Sequence, residues 1–316
     1  MNSILNDKQQ GLLAIFIANT IFGLNIPVTR SIVAHWMSPM GYTITRMLFG
    51  AIIFWIISSF LKYDKVQKKD LLMLMIGGLM GFLGTQLLFS QSLEYTTPVV
   101  FSLLMALTPV VVLILSAVML KEGIPKRKIL GIIISISGAA LIILLSGTQG
   151  EMGSNNTLGI FYAFLCVLCY AGYLVLTRKI SMKYQPVTVA KWMFLFSALA
   201  SLPLSYSSLQ NQRMFSDEAT FQAYSLLAFS LLFSTTMAFF LMPVALKRLE
   251  ASTVSIFMNL QPIVASVVAI VVGQDAFTWD KPVAALLVVI GVYLVTTQKG
   301  NQHKKEVATK KSVSQT

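Results

Sequence analysis

The chain has 316 residues, 56% of them hydrophobic and 11% charged, and a net charge of +12. An ordinary soluble domain carries about 25% charged residues, so a soluble enzyme is excluded. The positive balance invites a nucleic-acid reading, which the placement of the charges removes.

A membrane-spanning helix needs about 20 apolar residues, because it crosses roughly 30 Å at 1.5 Å per residue. The apolar runs predict ten such spans: Gly11–Val33, Gly41–Leu61, Leu71–Ser92, Pro98–Leu120, Lys128–Ser146, Leu158–Arg178, Val187–Ser205, Gln222–Leu246, Ser252–Gly273 and Pro282–Thr297. The gaps are short and leave no room for a soluble domain. The longest, Tyr206 to Phe221, is polar. The first run is too long for a cleavable signal and has no small-residue cleavage site after it, so it reads as the first span. With the N-terminus in the cytoplasm, every Lys and Arg except Arg30, Arg46, Lys191, Arg213 and Lys281 falls on the cytoplasmic side. That is the positive-inside asymmetry, and it puts both termini inside a cell (inner or plasma) membrane. The basic tail, 301–316, reads as a cytoplasmic segment drawn to anionic headgroups. The expected partners are the lipid bilayer and a small-molecule solute, with no nucleic acid.

In the first span, Phe22-Gly23-Leu24-Asn25-Ile26-Pro27 interrupts the apolar run. Pro27 removes a backbone hydrogen bond and bends the helix. Asn25 puts an amide near mid-depth, where burial without partners costs several kcal/mol, so it should face protein or a wet cavity. Arg46 lies roughly 7.5 Å inside the second span. It can snorkel, bond helix C-terminal carbonyls or face an anionic solute group, and the sequence leaves all three open. Arg30 and Lys191 read as snorkels. The third span carries Gly77, Gly78, Gly81 and Gly84, then Gln86, a second costly amide; its glycines form a close-packing face that could serve within the chain or in a homodimer. Cys166 and Cys169 in the sixth span read as small buried apolar residues rather than a redox pair, which needs solvent and a lowered thiol pKa. Tyr170 and Tyr173 sit in the same span. The eighth places Thr235 and Thr236 at mid-depth. In the ninth, Ser255, Asn259, Pro262 and Ser266 recur on one helical face.

Ser102–Leu141 aligns with Ser255–Leu294 at a constant offset of 153, with Pro109/Pro262, the acids Glu122/Asp275 and Gly138/Gly291 in register. At offset 148, Asn25 aligns with Tyr173 and Thr29-Arg30 with Thr177-Arg178. Spans one to five therefore resemble spans six to ten. Five is odd, so the second copy enters from the opposite face, the inverted-repeat arrangement of transporters. The expected organisation is an all-α membrane protein of ten transmembrane helices in two inverted five-helix repeats, residues 1–148 and 149–300, around a central cavity. Pro109 and Pro262 would bend two related gating helices at one height.

None of the twelve acidic residues falls in the middle of a span. Ion-coupled carriers commonly keep a carboxylate at membrane depth, so facilitated diffusion or exchange is expected. No HExxH, GxSxG, Walker loop or metal-spaced cluster occurs. An enzyme is not expected, nor any cofactor or metal.

The elements in order are Phe22-Gly23-Leu24-Asn25, then Arg46, then Leu93, Tyr95, Thr96, Pro109, Glu122, Gly131 and Gly138. Arg178-Lys179, Lys247-Arg248-Leu249, Pro262 and Gly291 come after them in the second half. Over nearly the whole chain these resemble the EamA family of the drug/metabolite transporter superfamily. Gly273-Gln274-Asp275 departs from the family's Gly-x-Glu or Gly-Glu by one position. The resemblance implies two inverted five-helix repeats and alternating-access transport of small polar metabolites, often export of amino acids or related compounds. The cavity is then expected to be lined by Asn25, Gln86, Tyr173, Thr236 and Asn259, with Arg46 as a further substrate-binding candidate. The alternative within the superfamily is a sugar-phosphate or nucleotide-sugar antiporter, which would want several cations at cavity depth. A membrane enzyme or scaffold is the reading from another class.

Overall fold

The computed structural model describes residues 6–61, 64–120, 129–131, 133–134, 136–138, 141, 155–210, 212–274 and 277–296. The tail 301–316, the acids Glu122 and Asp275 and much of the predicted fifth span lie outside the described residues.

All regular structure among the described residues is helical. Among the described residues eight helical stretches are long and apolar enough to cross a membrane. The helices are α1 (Asp7–His35), α2 (Pro39–Ser59), α3 (Lys68–Gly78), α4 (Thr85–Tyr95), α5 (Pro98–Met105) and α6 (Thr108–Leu120). A shorter apolar helix, α7, spans Ile129–Gly138. Then come α8 (Asn156–Lys183), α9 (Pro186–Leu209), α10 (Phe221–Phe229), α11 (Phe239–Arg248), α12 (Ala251–Ile256), α13 (Leu260–Val271) and α14 (Asp280–Thr296).

Helix starts obey capping chemistry. Asn6 and Gln9 form a reciprocal capping box at α1, with bonds of 2.8 and 2.9 Å. Ser38 and Thr97 cap α2 and α5, each with proline at the first helical position.

Four of the predicted straight spans are interrupted, in matched pairs. The third passes from α3 to α4 through a π-helical segment, Leu79–Gly84, and the eighth passes from α10 to α11 through another, Ser230–Ala238. Hydroxyls at i+5 hold the widened turns: Thr85 Oγ1 donates to Met80 O (2.8 Å), Thr235 Oγ1 to Ser230 O (3.0 Å) and Thr236 Oγ1 to Leu231 O (3.0 Å). The fourth span breaks at Ala106-Leu107, between α5 and α6, and the ninth tightens into a 3-10 turn, Phe257–Asn259, between α12 and α13. Both breaks precede the aligned prolines. A proline ring clashes with the carbonyl four residues back, which is that of Met105 for Pro109 and of Met258 for Pro262. At the first of these, Thr108 Oγ1 takes up the displaced Met105 carbonyl at 2.6 Å.

The packing crosses between the two sequence halves. Helix α2 lies along α9, α4 along α8, and α1 along both α11 and α13. The glycine face of the third span is used inside the chain: a Cβ at Gly77 would strike Thr177, at Gly78 the Met193 carbonyl, and at Gly81 the Tyr173 ring. At one end the connection between α2 and α3 is laced to that between α8 and α9. Asp64 accepts from Gln185 N (2.9 Å) and Thr188 Oγ1 (3.0 Å), and Asp70 pairs with Lys183 at 2.5 Å.

Arg30 does not snorkel. Its guanidinium caps α4, donating to the carbonyls of Leu93 (2.6 Å) and Glu94 (2.8 Å), which have no helical partners of their own. Lys191 is likewise held inside, donating to Ser58 Oγ at 2.7 Å beneath the Trp55 ring. Cys166 and Cys169 are free thiols, and Cys166 donates to Thr85 O at 3.4 Å. Gln274 comes after Gly273 (φ 72°) at the end of α13. Its amide crosses to α1, donating to Pro27 O (3.0 Å) and Ser31 Oγ (2.7 Å).

Candidate solute site

A central cavity of about 40 Å³ is walled by both sequence halves. Phe22 and Asn25 come from α1, Gln86 from α4, Met105 from α5, Tyr170 from α8, Ser234 from the second π-helical segment, Met258 from the ninth-span interruption and Gln261 from α13. Two of the interruptions border this space through Ser234 and Met258, and the residues flanking the other two, Thr85 and Met105, line it as well. The volume admits a few waters. A metabolite would need the walls to part, and broken helices are where backbone movement is cheapest.

Arg46 lies beneath this cavity, fully buried. Its Nε donates to Thr235 Oγ1 (2.8 Å), Nη2 to Ser234 Oγ (2.9 Å) and Nη1 to Gln86 Oε1. The guanidinium lies near the rings of Tyr42 (5.4 Å to the centroid) and Phe239 (5.8 Å). It neither snorkels nor bonds helix-terminal carbonyls, and among the described residues no carboxylate pairs with it. Removing a guanidinium from water costs several kcal/mol even after relaxation. Three hydrogen bonds to neutral oxygens and two aromatic neighbours offset part of that.

Asn25 is buried and lines the cavity. Its Nδ2 donates to Thr29 Oγ1 (3.1 Å), which is bonded to Tyr42 OH (2.9 Å), itself in contact with Ser230 Oγ. This chain joins α1, α2 and the second π-helical segment. Asn25 Oδ1 has no partner among the described residues. Gln261 completes the wall: its Nε2 donates to Asn19 Oδ1 at 2.7 Å, while Asn19 Nδ2 donates to Ile15 O at 3.0 Å.

Of the residues singled out in the sequence, the structure gathers Asn25, Gln86 and Arg46. Tyr173 is buried beside Phe82 and Tyr170 and does not line the cavity; Tyr170, one turn earlier, does. Thr236 bonds back to its own helix, while its neighbours Ser234 and Thr235 hold Arg46. Asn259 and Pro262 border a different recess of about 350 Å³, apolar and shared with Val99, Leu103 and α14. Pro109 is buried at the start of α6. A further recess of about 510 Å³ opens beside Pro27, lined by Arg30, Ser31, His35, Gln222 and Gln274 among others.

The profile of the EamA-like transporter family matches residues 9–144 and again 157–297. The transporter YyaM of Bacillus subtilis, described as uncharacterized, is 26% identical, the match covering 81% of this chain and 84% of that one. An uncharacterized inner membrane transporter of Salmonella typhimurium, YicL, is 23% identical over 92% and 97%. A WAT1-related protein of Arabidopsis thaliana, At3g18200, is 22% identical over 95% and 85%. A protein crystal structure superposes with a TM-score of 0.67 at 17% identity, over 93% of this chain and 99% of its own, a likeness of fold. With eight apolar helices among the described residues able to span a bilayer and the family profile matched across both halves, this chain belongs to the EamA-like transporter family and is a multi-pass membrane transporter.

Proposed function

We propose that the chain moves small polar metabolites, amino acids or related compounds outward across a cell membrane, by alternating access around the cavity bordered by Asn25, Gln86, Ser234 and Gln261. The observation that carries this reading is that polar groups from both halves meet where four helices are broken. Ten spans in two inverted repeats, with both termini cytoplasmic, complete the proposal. Its support is the double profile match, the pairing of π-helical third and eighth spans, and the pairing of breaks before Pro109 and Pro262. The packing adds to it: exchanging the halves turns the contact of α1 with α11 into that of α8 with α4. Single cysteines at Lys65 and Lys183 should then react with an impermeant maleimide from the same face of the membrane, and one at Glu218 from the other. Lys65 and Lys183 reacting from opposite faces would remove the inverted arrangement.

Among the described residues no Asp or Glu lines the cavity, which supports facilitated diffusion or exchange. In proteoliposomes, saturable counterflow of a transported amino acid should be unaffected by an imposed proton gradient. Uphill accumulation driven by that gradient would overturn the passive mechanism. A phosphorylated cargo is less well served, because Arg46 is the one cation adjoining the cavity among the described residues.

A further inference from the structure

We propose that Arg46 fixes the charge and orientation of the solute without touching it: the cavity takes a solute with a carboxylate at one end and N–H donors at the other. The inference rests on the carrier reading above and goes further, since that reading is indifferent to which way round the solute lies.

A guanidinium has only donors to offer. Gln86 must therefore turn its amide oxygen toward Arg46, and its Nε2 is left with no protein acceptor among the described residues. Ser234 accepts from Arg46 through its oxygen, so its hydroxyl proton is directed elsewhere, and it too has no protein acceptor among the described residues. Both residues line the cavity. One wall therefore presents donors, polarised by a buried cation that lacks a carboxylate partner among the described residues.

The wall contributed by α1 and α13 has the opposite character. Asn25 gives its Nδ2 to Thr29 and keeps a buried Oδ1 with no partner among the described residues. Asn19 gives its own N–H to Ile15 O, so it accepts from Gln261 Nε2, and Gln261 Oε1 remains for the cavity. Two acceptors, from α1 and α13, thus share the cavity with two donors, from α4 and the second π-helical segment. A carboxylate against Gln86 and Ser234 supplies the negative charge that Arg46 lacks, and an ammonium or amide N–H against Asn25 and Gln261 satisfies the bare oxygens. A cation placed at the donor wall would be repelled.

The test compares each proteinogenic amino acid with its C-terminal amide, which keeps the shape and loses the carboxylate. Saturable counterflow into proteoliposomes is measured for the native chain and for Gln86→Glu. At least one acid should exchange roughly tenfold or more faster than its amide, the range that loss of a charge-assisted hydrogen bond produces. In Gln86→Glu the new carboxylate pairs with Arg46 and turns a negative edge to the cavity, so that preference should shrink to about twofold or invert. A merely structural Arg46 would be better paired in that variant and would leave the preference where it was, an outcome that overturns the proposal. Ser234→Ala, which removes the second donor alone, should weaken acids more than amides and serves if Gln86→Glu does not fold. Equal exchange of acids and amides overturns the proposal and leaves the carrier reading standing. Exchange of no acid and no amide also overturns it. The carrier reading falls with it only when amines, polyols and nucleosides give no saturable exchange either.

Discussion

Replacing Asn25 by leucine should reduce saturable flux by roughly tenfold or more while leaving the folded protein as stable as before, or more so. The two halves of that expectation have separate causes. Asn25 contributes one hydrogen bond to Thr29 Oγ1 at 3.1 Å, and such a bond adds only about 0.5–1.5 kcal/mol net. Against this stands its buried Oδ1, which has no partner among the described residues; leaving such an acceptor unsatisfied costs about 1–3 kcal/mol. Leucine removes both, and its volume suits a wall already formed by Phe22, Ile26 and Met258. Stability therefore rises or stays level. A residue that the fold would do better without is retained for another reason, and an acceptor facing a cavity has an evident one. The counterflow rate and the thermal midpoint in detergent should be measured together. Normal flux in Asn25→Leu removes the amide from the solute path, and a lowered midpoint makes it a structural residue. Asn259→Leu is the companion measurement. Asn259 Oδ1 is likewise buried without a partner among the described residues, but it borders the apolar recess against α14 and not the central cavity, so its replacement should leave flux within about twofold, below the effect of one lost net hydrogen bond at the site.

The contrast between these two asparagines marks how far the sequence could be read. Span positions came from apolar run length alone, and the polar residues at depth from the cost of burying them. Asn25, Gln86 and Arg46 were legible because a single amide or guanidinium in an apolar helix has few tolerable surroundings. Pro109 and Pro262 were legible because a missing N–H and a ring clash act through the backbone whatever surrounds them. Facing was not legible, because it assumed straight helices. A 3-10 turn advances about 120° per residue against 100° in an α-helix, so Phe257–Asn259 rotates the remainder of the ninth span by roughly 60°. Gln261 turns to the centre, and Asn259 and Pro262 turn away from it. The π-helical segment has the same consequence in the eighth span, where Ser234 and Thr235 meet Arg46 and Thr236 faces its own carbonyls. The five-residue hydroxyl bonds that hold these turns are local, yet Ser and Thr are common enough in membrane helices that their presence alone announces nothing. Arg46's partners were hidden for a related reason. They lie 40, 188 and 189 residues along the chain, and the helix carrying two of them is not regular.

Gly50→Ala should be among the most damaging single-methyl changes in the protein. Gly50 sits on α2 where it crosses α9, and a Cβ there would lie 2.4 Å from two carbons of the Phe194 ring. Alanine in a helix is ordinarily favoured over glycine by up to about 1 kcal/mol, so the sign depends on whether the ring can yield. It cannot move far. Phe194 is stacked on Phe54 at 5.3 Å and lies edge-on to Phe82 at 4.5 Å and to Phe239 at 5.5 Å, and all four rings are buried. The helices themselves must separate, and overpacking of a filled core costs about 1–3 kcal/mol, which exceeds the propensity gain. The damage would also fall on an interface between the halves, next to Phe239 against Arg46, so flux should drop along with the thermal midpoint. Phe194→Leu alone leaves a hole and should destabilise too. In Gly50→Ala/Phe194→Leu the smaller side chain makes room for the methyl, so the double variant should be more stable than the two single losses add up to, a coupling that a double-mutant cycle reads directly. Additive losses, or a Gly50→Ala protein that melts no earlier than the parent, would mean that α2 and α9 do not meet as closely as the fold requires.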